Sequence, residues 1–128
     1  MKPNKEQLAA IAYHKGPSLI IAGAGTGKTF VITNKIVSLI HTKQVAPQEI
    51  VALTFTEKAA YEMEQRVDEL LPYGFYQLWI MTFHAFAESL LQEYGIHIGI
   101  APSFRIITDV DAVSLFRTRL GTMKLTYF

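Results

Sequence analysis

The sequence contains no cysteine, so neither disulfide bonds nor thiolate metal ligands can contribute to its structure or chemistry. It has no apolar run close to the ~18 residues that a membrane-spanning helix requires. The first residues, MKPNKEQLAA, lack the apolar stretch of a secretory signal. These absences argue against a disulfide-stapled secreted protein and a membrane protein, and we expect a soluble protein of the cytoplasm.

An excess of charge of one sign is also missing, because the formal net charge is only +1. Bulk electrostatics therefore gives no argument for nucleic-acid binding, and any such site must be local. Half of the residues are apolar, and a length of 128 residues allows one compact domain with a real core. The sequence ends at LTYF without a polar tail, so we expect this chain to be part of a longer protein.

Apolar runs of strand length alternate with segments of helical period along the chain. Predicted strands cover 18–22, 50–55 and 78–81, and predicted helices cover 4–15, 28–42, 56–71, 82–94 and a last segment from about 108. Such alternation predicts an α/β fold with a parallel sheet flanked by helices. Ligands of such sheets bind where the strands end, and sequence motifs follow all three predicted strands.

The first of these motifs is the run AGAGTGKT at residues 22–29. It matches the phosphate-loop pattern, with alanine at the first position. Glycines allow backbone N–H groups to surround phosphate oxygens, and the helix that begins at Lys28 points its N-terminus at the anion. In this pattern Lys28 reaches the β- and γ-phosphates, and the Thr29 hydroxyl binds Mg²⁺. We therefore predict a site for a nucleoside triphosphate.

Two similar corners follow the second and third predicted strands, TFTEKAA at residues 54–60 and TFHAF at residues 82–86. Each can present a hydroxyl, backbone N–H groups and an aromatic ring, which are the components of a single-strand binding platform. The residues alone leave a second interpretation open, because a phenylalanine at a strand end is usually core and threonine is an ordinary helix cap.

The motifs AGAGTGKT, LTFTEKAAYEM and MTFHAF together resemble the first motifs of the UvrD/Rep-like superfamily 1 DNA helicases. Glu6-Gln7-Leu8 resembles the adenine-reading glutamine motif of that family, and the similarity covers residues 4–94. The resemblance implies a RecA-like phosphate-loop domain over residues 1–100. Residues 101–128 would then begin an inserted helical subdomain, and both parts would be incomplete.

The resemblance also implies ligands and roles for individual residues. The ligands would be ATP with Mg²⁺ and single-stranded DNA, along which the whole enzyme would move in the 3′-to-5′ direction with the help of a second RecA-like domain. The residues facing ATP would be Gln7, Ala22, Gly23, Ala24, Gly25, Thr26, Gly27, Lys28, Thr29 and Phe30, with Lys28 and Thr29 catalytic and Thr29 on the metal. The residues facing DNA would be Thr54, Phe55, Thr56, Thr82, Phe83 and His84.

Two positions depart from the family pattern, and the rest of the machinery for hydrolysis is not found in this sequence. Phe30 stands where the family often has arginine near the nucleotide. Glu57 stands where many members have asparagine, and it resembles the RecB/AddA type. An acidic residue for Mg²⁺ after an apolar strand is not found, since Asp109 fits better as a first-turn acid of the last helix. We therefore expect residues 1–128 alone not to hydrolyse ATP at a useful rate.

Two other classes of protein could carry the same phosphate loop. A non-catalytic module would bind nucleotide or DNA without turnover. A small metabolite kinase would need a lid rich in arginine, but the arginines are few and form no such cluster: Arg66, Arg105, Arg117 and Arg119.

Overall fold

The computed structural model describes residues 2–42, 45–71 and 78–120. Five helices and two strands follow one another, with short 3₁₀ turns at Pro47–Glu49 and Gly95–Ile98. In chain order they are α1 (Lys5–Ala12), α2 (Lys28–His41), β1 (Val51–Thr54), α3 (Glu57–Leu70), β2 (Trp79–Thr82), α4 (Phe83–Tyr94) and α5 (Asp109–Leu120).

Polar side chains begin several helices by pairing with backbone N–H groups that have no partner within the helix. At α1 the Gln7 N–H donates to Asn4 Oδ1 at 2.7 Å, and the Asn4 N–H donates to Gln7 Oε1 at 2.9 Å. At α3 the Ala59 N–H donates to Thr56 Oγ1 at 3.1 Å. The helices predicted over 4–15 and 56–71 are therefore confirmed, and each begins at a capping side chain.

The two strands form a parallel pair in which Val51 lies opposite Trp79 and Thr54 lies opposite Thr82. Helix α3 connects them and packs against both. Because the strands are parallel and in register, their carboxyl ends meet at the same edge, and the two Thr-Phe corners lie there together. The predicted α/β arrangement is confirmed for these two strands.

The strand predicted at residues 18–22 is wrong. These residues have no regular structure, and no hydrogen-bonded ladder joins them to another described segment. Leu19 is 86% exposed and Ile21 is 91% exposed. An apolar run becomes a strand only when a neighbouring strand satisfies its N–H and C=O groups, and the part of the chain that is described provides none beside it.

The core lies between α2, α3 and the strand pair. Its buried apolar members are Ile36, Ile50, Ala52, Met63, Val67 and Leu71. Along α3 the buried positions Ala60, Met63 and Val67 follow the helical period, so one stripe of the helix faces the core. This packing holds α2, α3 and the strand pair together.

The chain divides into two compact units, one up to Glu88 and one from Ser89 onward. In the second unit α5 begins as predicted: the Thr108 N–H donates to Asp111 Oδ2 at 3.0 Å, and the Asp111 N–H donates to Thr108 Oγ1 at 3.2 Å. The predicted domain boundary near residue 100 stays a prediction. Among the described helices, none combines the length and apolarity needed to cross a bilayer.

Candidate functional site

The glycine-rich loop at residues 22–29 is curled and exposed for most of its length. Gly25 and Gly27 have φ angles of +74° and +87°, which favour glycine. The Thr26 hydroxyl donates to the Gly23 carbonyl at 2.8 Å and closes the turn. A Cβ atom at Gly25 would meet no atom within 4 Å, so the space above the loop is open. The loop is therefore a tight turn that depends on glycine and is accessible to a ligand.

Lys28 is the first residue of α2, and its side chain bends back over the loop. Its Nζ donates to the Gly23 carbonyl at 2.6 Å and to the Ala22 carbonyl at 3.3 Å. The ammonium group is thus held at the mouth of the loop, next to the N-terminus of the helix. A positive side chain and the positive end of a helix dipole act on the same space, which favours a polyanion such as a triphosphate.

Gln7 joins α1 to the phosphate loop. Its Nε2 donates to the Thr26 carbonyl at 3.1 Å, while its Oε1 accepts from the Asn4 N–H. A Cβ atom built on Gly27 would lie only 3.0 Å from Gln7 Nε2, so the close approach depends on that glycine. The glutamine to which the family resemblance gives the adenine therefore lies beside the loop that is predicted to bind the phosphates.

A cavity of about 890 Å³ lies over this region. It is lined by the predicted residues Gln7, Gly25, Thr26, Gly27, Lys28, Thr29 and Phe30, and also by Thr33, Asn34, Arg66, Glu69 and Leu70. The contribution of α3 to this cavity was not predicted from the sequence: Arg66, Glu69 and Leu70 all come from that helix.

The two Thr-Phe corners place their aromatic rings side by side at the strand edge. The ring centroids of Phe55 and Phe83 lie 5.3 Å apart with an interplanar angle of 46°. Phe55 is 87% exposed and Phe83 is 48% exposed, so neither ring is a core residue. His84 is exposed on the first turn of α4. Within the described residues these rings are therefore not part of the core, and a tilted pair of aromatic rings faces solvent.

The threonines of the corners have structural partners. Thr56 caps α3, and Thr54 ends β1 half-buried. Thr82 is only 4% exposed; its hydroxyl accepts from the Ala85 N–H at 3.1 Å and donates to Glu57 Oε1 at 2.9 Å. The Glu57 carboxylate, whose charge is unfavourable next to a phosphate backbone, is thus directed at Thr82. No local pattern predicts this bond, because its two residues are 25 positions apart.

The family model of the UvrD/REP helicase N-terminal domain matches residues 3–127. A protein of Staphylococcus epidermidis named ATP-dependent DNA helicase PcrA is 42% identical over 114 residues, which cover 89% of this chain and 16% of that relative. The protein of the same name from Staphylococcus aureus is 41% identical over an equal length and share. This chain therefore spans a small part of the relatives it matches. It belongs to the family of UvrD/REP helicase N-terminal domains.

Proposed function

We propose that this chain is the N-terminal ATP-binding part of an ATP-dependent DNA helicase that moves along single-stranded DNA. One observation carries the proposal: the same compact unit holds an open phosphate loop with a lysine over it and an exposed pair of aromatic rings at a strand edge. A fold of the RecA-like type, with residues 1–100 in that domain and residues 101–128 in an inserted helical subdomain, belongs to the same proposal.

ATP would bind along the loop with its phosphates among the backbone N–H groups of residues 22–29. Lys28 would then exchange its two carbonyl partners for phosphate oxygens, a replacement favoured because a charged acceptor binds an ammonium group more strongly. Gln7 would read the adenine edge and would give up its bond to Thr26 or to Asn4 to do so. Phe30, which lines the cavity, would contact the nucleotide through its ring rather than through a charge.

Mg²⁺ would be held by the Thr29 hydroxyl together with the phosphates, and it would neutralise charge that develops during hydrolysis. Across residues 2–42, 45–71 and 78–120, no three His, Asp or Glu side chains come together as a metal site. We place the acidic ligand, the group that positions water and the arginine finger in other parts of the whole protein. For this reason residues 1–128 alone should not turn over ATP.

Single-stranded DNA would lie across the two corners. Phe55 and Phe83 would stack on bases. Stacking of a base on an aromatic ring is worth ~1–3 kcal/mol. The N-terminus of α3 and the exposed His84 would face the phosphates. Closure of a second RecA-like domain on ATP would then move the strand past these corners, in the 3′-to-5′ direction.

The full gene product tests this proposal through its rate of ATP hydrolysis with and without single-stranded DNA. We expect strong stimulation by DNA in the full protein and none in isolated residues 1–128. Binding of an oligothymidine should weaken steeply as salt rises, because phosphate contacts release counterions. A rate of ATP hydrolysis that does not change when DNA is added would contradict the helicase proposal. Phosphate transfer to a small metabolite would contradict it as well and would favour a kinase.

A further inference from the structure

A hydrogen bond between side chains joins the two corners that carry the exposed rings. Glu57 is the first residue of α3, after β1, and Thr82 is the last residue of β2, opposite Thr54 in the sheet. The Thr82 hydroxyl donates to Glu57 Oε1 at 2.9 Å, in a partly buried position. The same hydroxyl accepts from the Ala85 N–H, so the beginning of α4 is tied to the beginning of α3.

The geometry of the ring pair depends on how these corners are held. Phe55 lies two positions before Glu57, and Phe83 directly follows Thr82. With 87% of Phe55 exposed, side-chain packing contributes little to its position. The backbone of each corner therefore sets the 5.3 Å separation of the rings. The strand pairing of Thr54 with Thr82 brings these backbones together, and the bond between Glu57 and Thr82 adds a link beyond the strand ends.

We propose that Glu57 is a positioning residue for single-stranded DNA, which holds the Phe55 and Phe83 rings as one preformed stacking platform through Thr82. The inference rests on the DNA-binding function proposed above. It concerns a side chain whose charge is unfavourable near DNA, since a carboxylate repels a phosphate backbone. In the structure this carboxylate acts as an acceptor, and it thereby orders the platform before DNA arrives.

The negative charge of Glu57 should weaken DNA binding, whereas its bond to Thr82 should strengthen it. Two substitutions of Glu57 therefore separate the two effects. Glu57→Gln removes the negative charge but keeps an oxygen that can accept from Thr82, whereas Glu57→Ala removes both. A purely electrostatic role predicts that both variants bind DNA more tightly. A positioning role predicts that Glu57→Gln binds at least as tightly as wild type and that Glu57→Ala binds more weakly, by about fivefold, the effect of one such hydrogen bond.

The test is carried out on the full gene product with an oligothymidine that contains one 2-aminopurine. Anisotropy gives the dissociation constant, and quenching of the 2-aminopurine fluorescence reports stacking on the rings. We expect Glu57→Ala to lose both affinity and quenching, and Glu57→Gln to keep both. Glu64→Ala, which removes a charge from an exposed position of the same helix, is the matched control and should not weaken binding.

A second pair of variants approaches the bond from its other end. Thr82→Val should weaken binding, and Thr82→Ser should retain it. Glu57→Ala combined with Thr82→Val should cost less than the sum of the single changes, because both remove the same bond. Glu57→Ala that binds and quenches like Glu57→Gln would overturn the inference while leaving the helicase proposal intact. A wild-type protein without single-strand binding would instead overturn the proposed function.

Discussion

In the proposed function Lys28 is the residue on which ATP chemistry would most depend, since its ammonium group lies over the loop that would cradle the phosphates. We predict that Lys28→Ala in the full gene product lowers kcat/KM for ATP by about 10²–10³-fold, the effect of removing one preorganised electrostatic contact to the transition state. Binding of single-stranded DNA should remain close to wild type, because the Phe corners are separate from the loop in sequence. Hydrolysis and anisotropy assays on one preparation check both parts. Equal loss of both activities would contradict this division of roles.

Gly27 provides a stability test of the loop conformation. Its φ of +87° and the 3.0 Å distance from a built Cβ to Gln7 Nε2 both oppose a side chain. We predict that Gly27→Ala lowers the free energy of unfolding by about 1–2 kcal/mol, the cost of a left-handed conformation with a Cβ. Gly23→Ala is the matched control, because its Cβ would meet Thr26 Cγ2 at an ordinary 3.7 Å. If urea denaturation gives the same free energy of unfolding for both variants, the loop does not require a glycine at position 27.

Local patterns predicted single residues well, and contacts distant in sequence were not predictable. The cap at Asn4 and the glycines of the loop follow from spacing within a few residues. The bond between Glu57 and Thr82 and the place of Arg66 in the cavity depend on how α3 packs. No periodicity along the chain contains that information, because it arises only when the strands pair.

At the scale of elements, α1 is held against α2 by a lysine from its neighbour. The last turn of α1 has no basic residue of its own, and Lys35 Nζ donates to the carbonyls of Ala10 at 3.3 Å, Ile11 at 3.4 Å and Tyr13. A cation at a helix C-terminus satisfies carbonyls that have no partner within the helix. This contact fixes the helix that carries Gln7.

We predict that Lys35→Met, which keeps the aliphatic stem, destabilises the fold by about 1 kcal/mol. Amide hydrogen exchange should accelerate more in α1 than in the other helices. The affinity for ATP should also fall, because Gln7 is held less firmly in place. Lys58→Met serves as the control, since an exposed lysine 4.0 Å from Glu62 contributes little. Unchanged exchange in α1 would show that Lys35 does not hold this helix.

Helix α5 offers a prediction about pH. Two hydrogen bonds from Thr108 lower the pKa of Asp111 below its ordinary value of 3.8. The Thr108 N–H has the larger effect and the Thr108 hydroxyl the smaller, and both donate to the carboxylate. Because the folded pKa is depressed, the cap is fully formed above the ordinary value and is lost as pH falls through the lower, folded value. An NMR titration of the Asp111 carboxyl should show a midpoint below 3.8 in wild type and a higher midpoint in Thr108→Ala. Identical midpoints would contradict the cap.

The predicted strand at residues 18–22 shows where element prediction from sequence ends. Helices can be read from caps and period because their hydrogen bonds are local. A strand depends on a partner, and β1 and β2 are partners of each other, joined through α3. The SLIIA segment has the composition of a strand but no partner among the described residues. The apolar side chains of Leu19 and Ile21 are exposed, and no other described residue buries them.

At the scale of the whole molecule, the central claim is that one unit combines an ATP site with a single-strand platform. The two Thr-Phe corners were predictable as a pair, because parallel strands end at one edge. Their exposure was not, because a phenylalanine at a strand end is usually buried. In the described residues the two rings are exposed and 5.3 Å apart, which leaves them accessible for the proposed stacking on bases.

The most direct measurement is the concentration of single-stranded DNA that half-maximally stimulates ATP hydrolysis by the full gene product, compared between wild type and Phe55→Leu/Phe83→Leu. Leucine keeps the apolar character but removes the stacking face. Losing stacking worth ~1–3 kcal/mol per base should raise that concentration by about tenfold or more, with the unstimulated rate unchanged. Equal concentrations for the two proteins, or no stimulation of the wild type, would contradict the claim that these corners bind DNA for an ATP-driven motor.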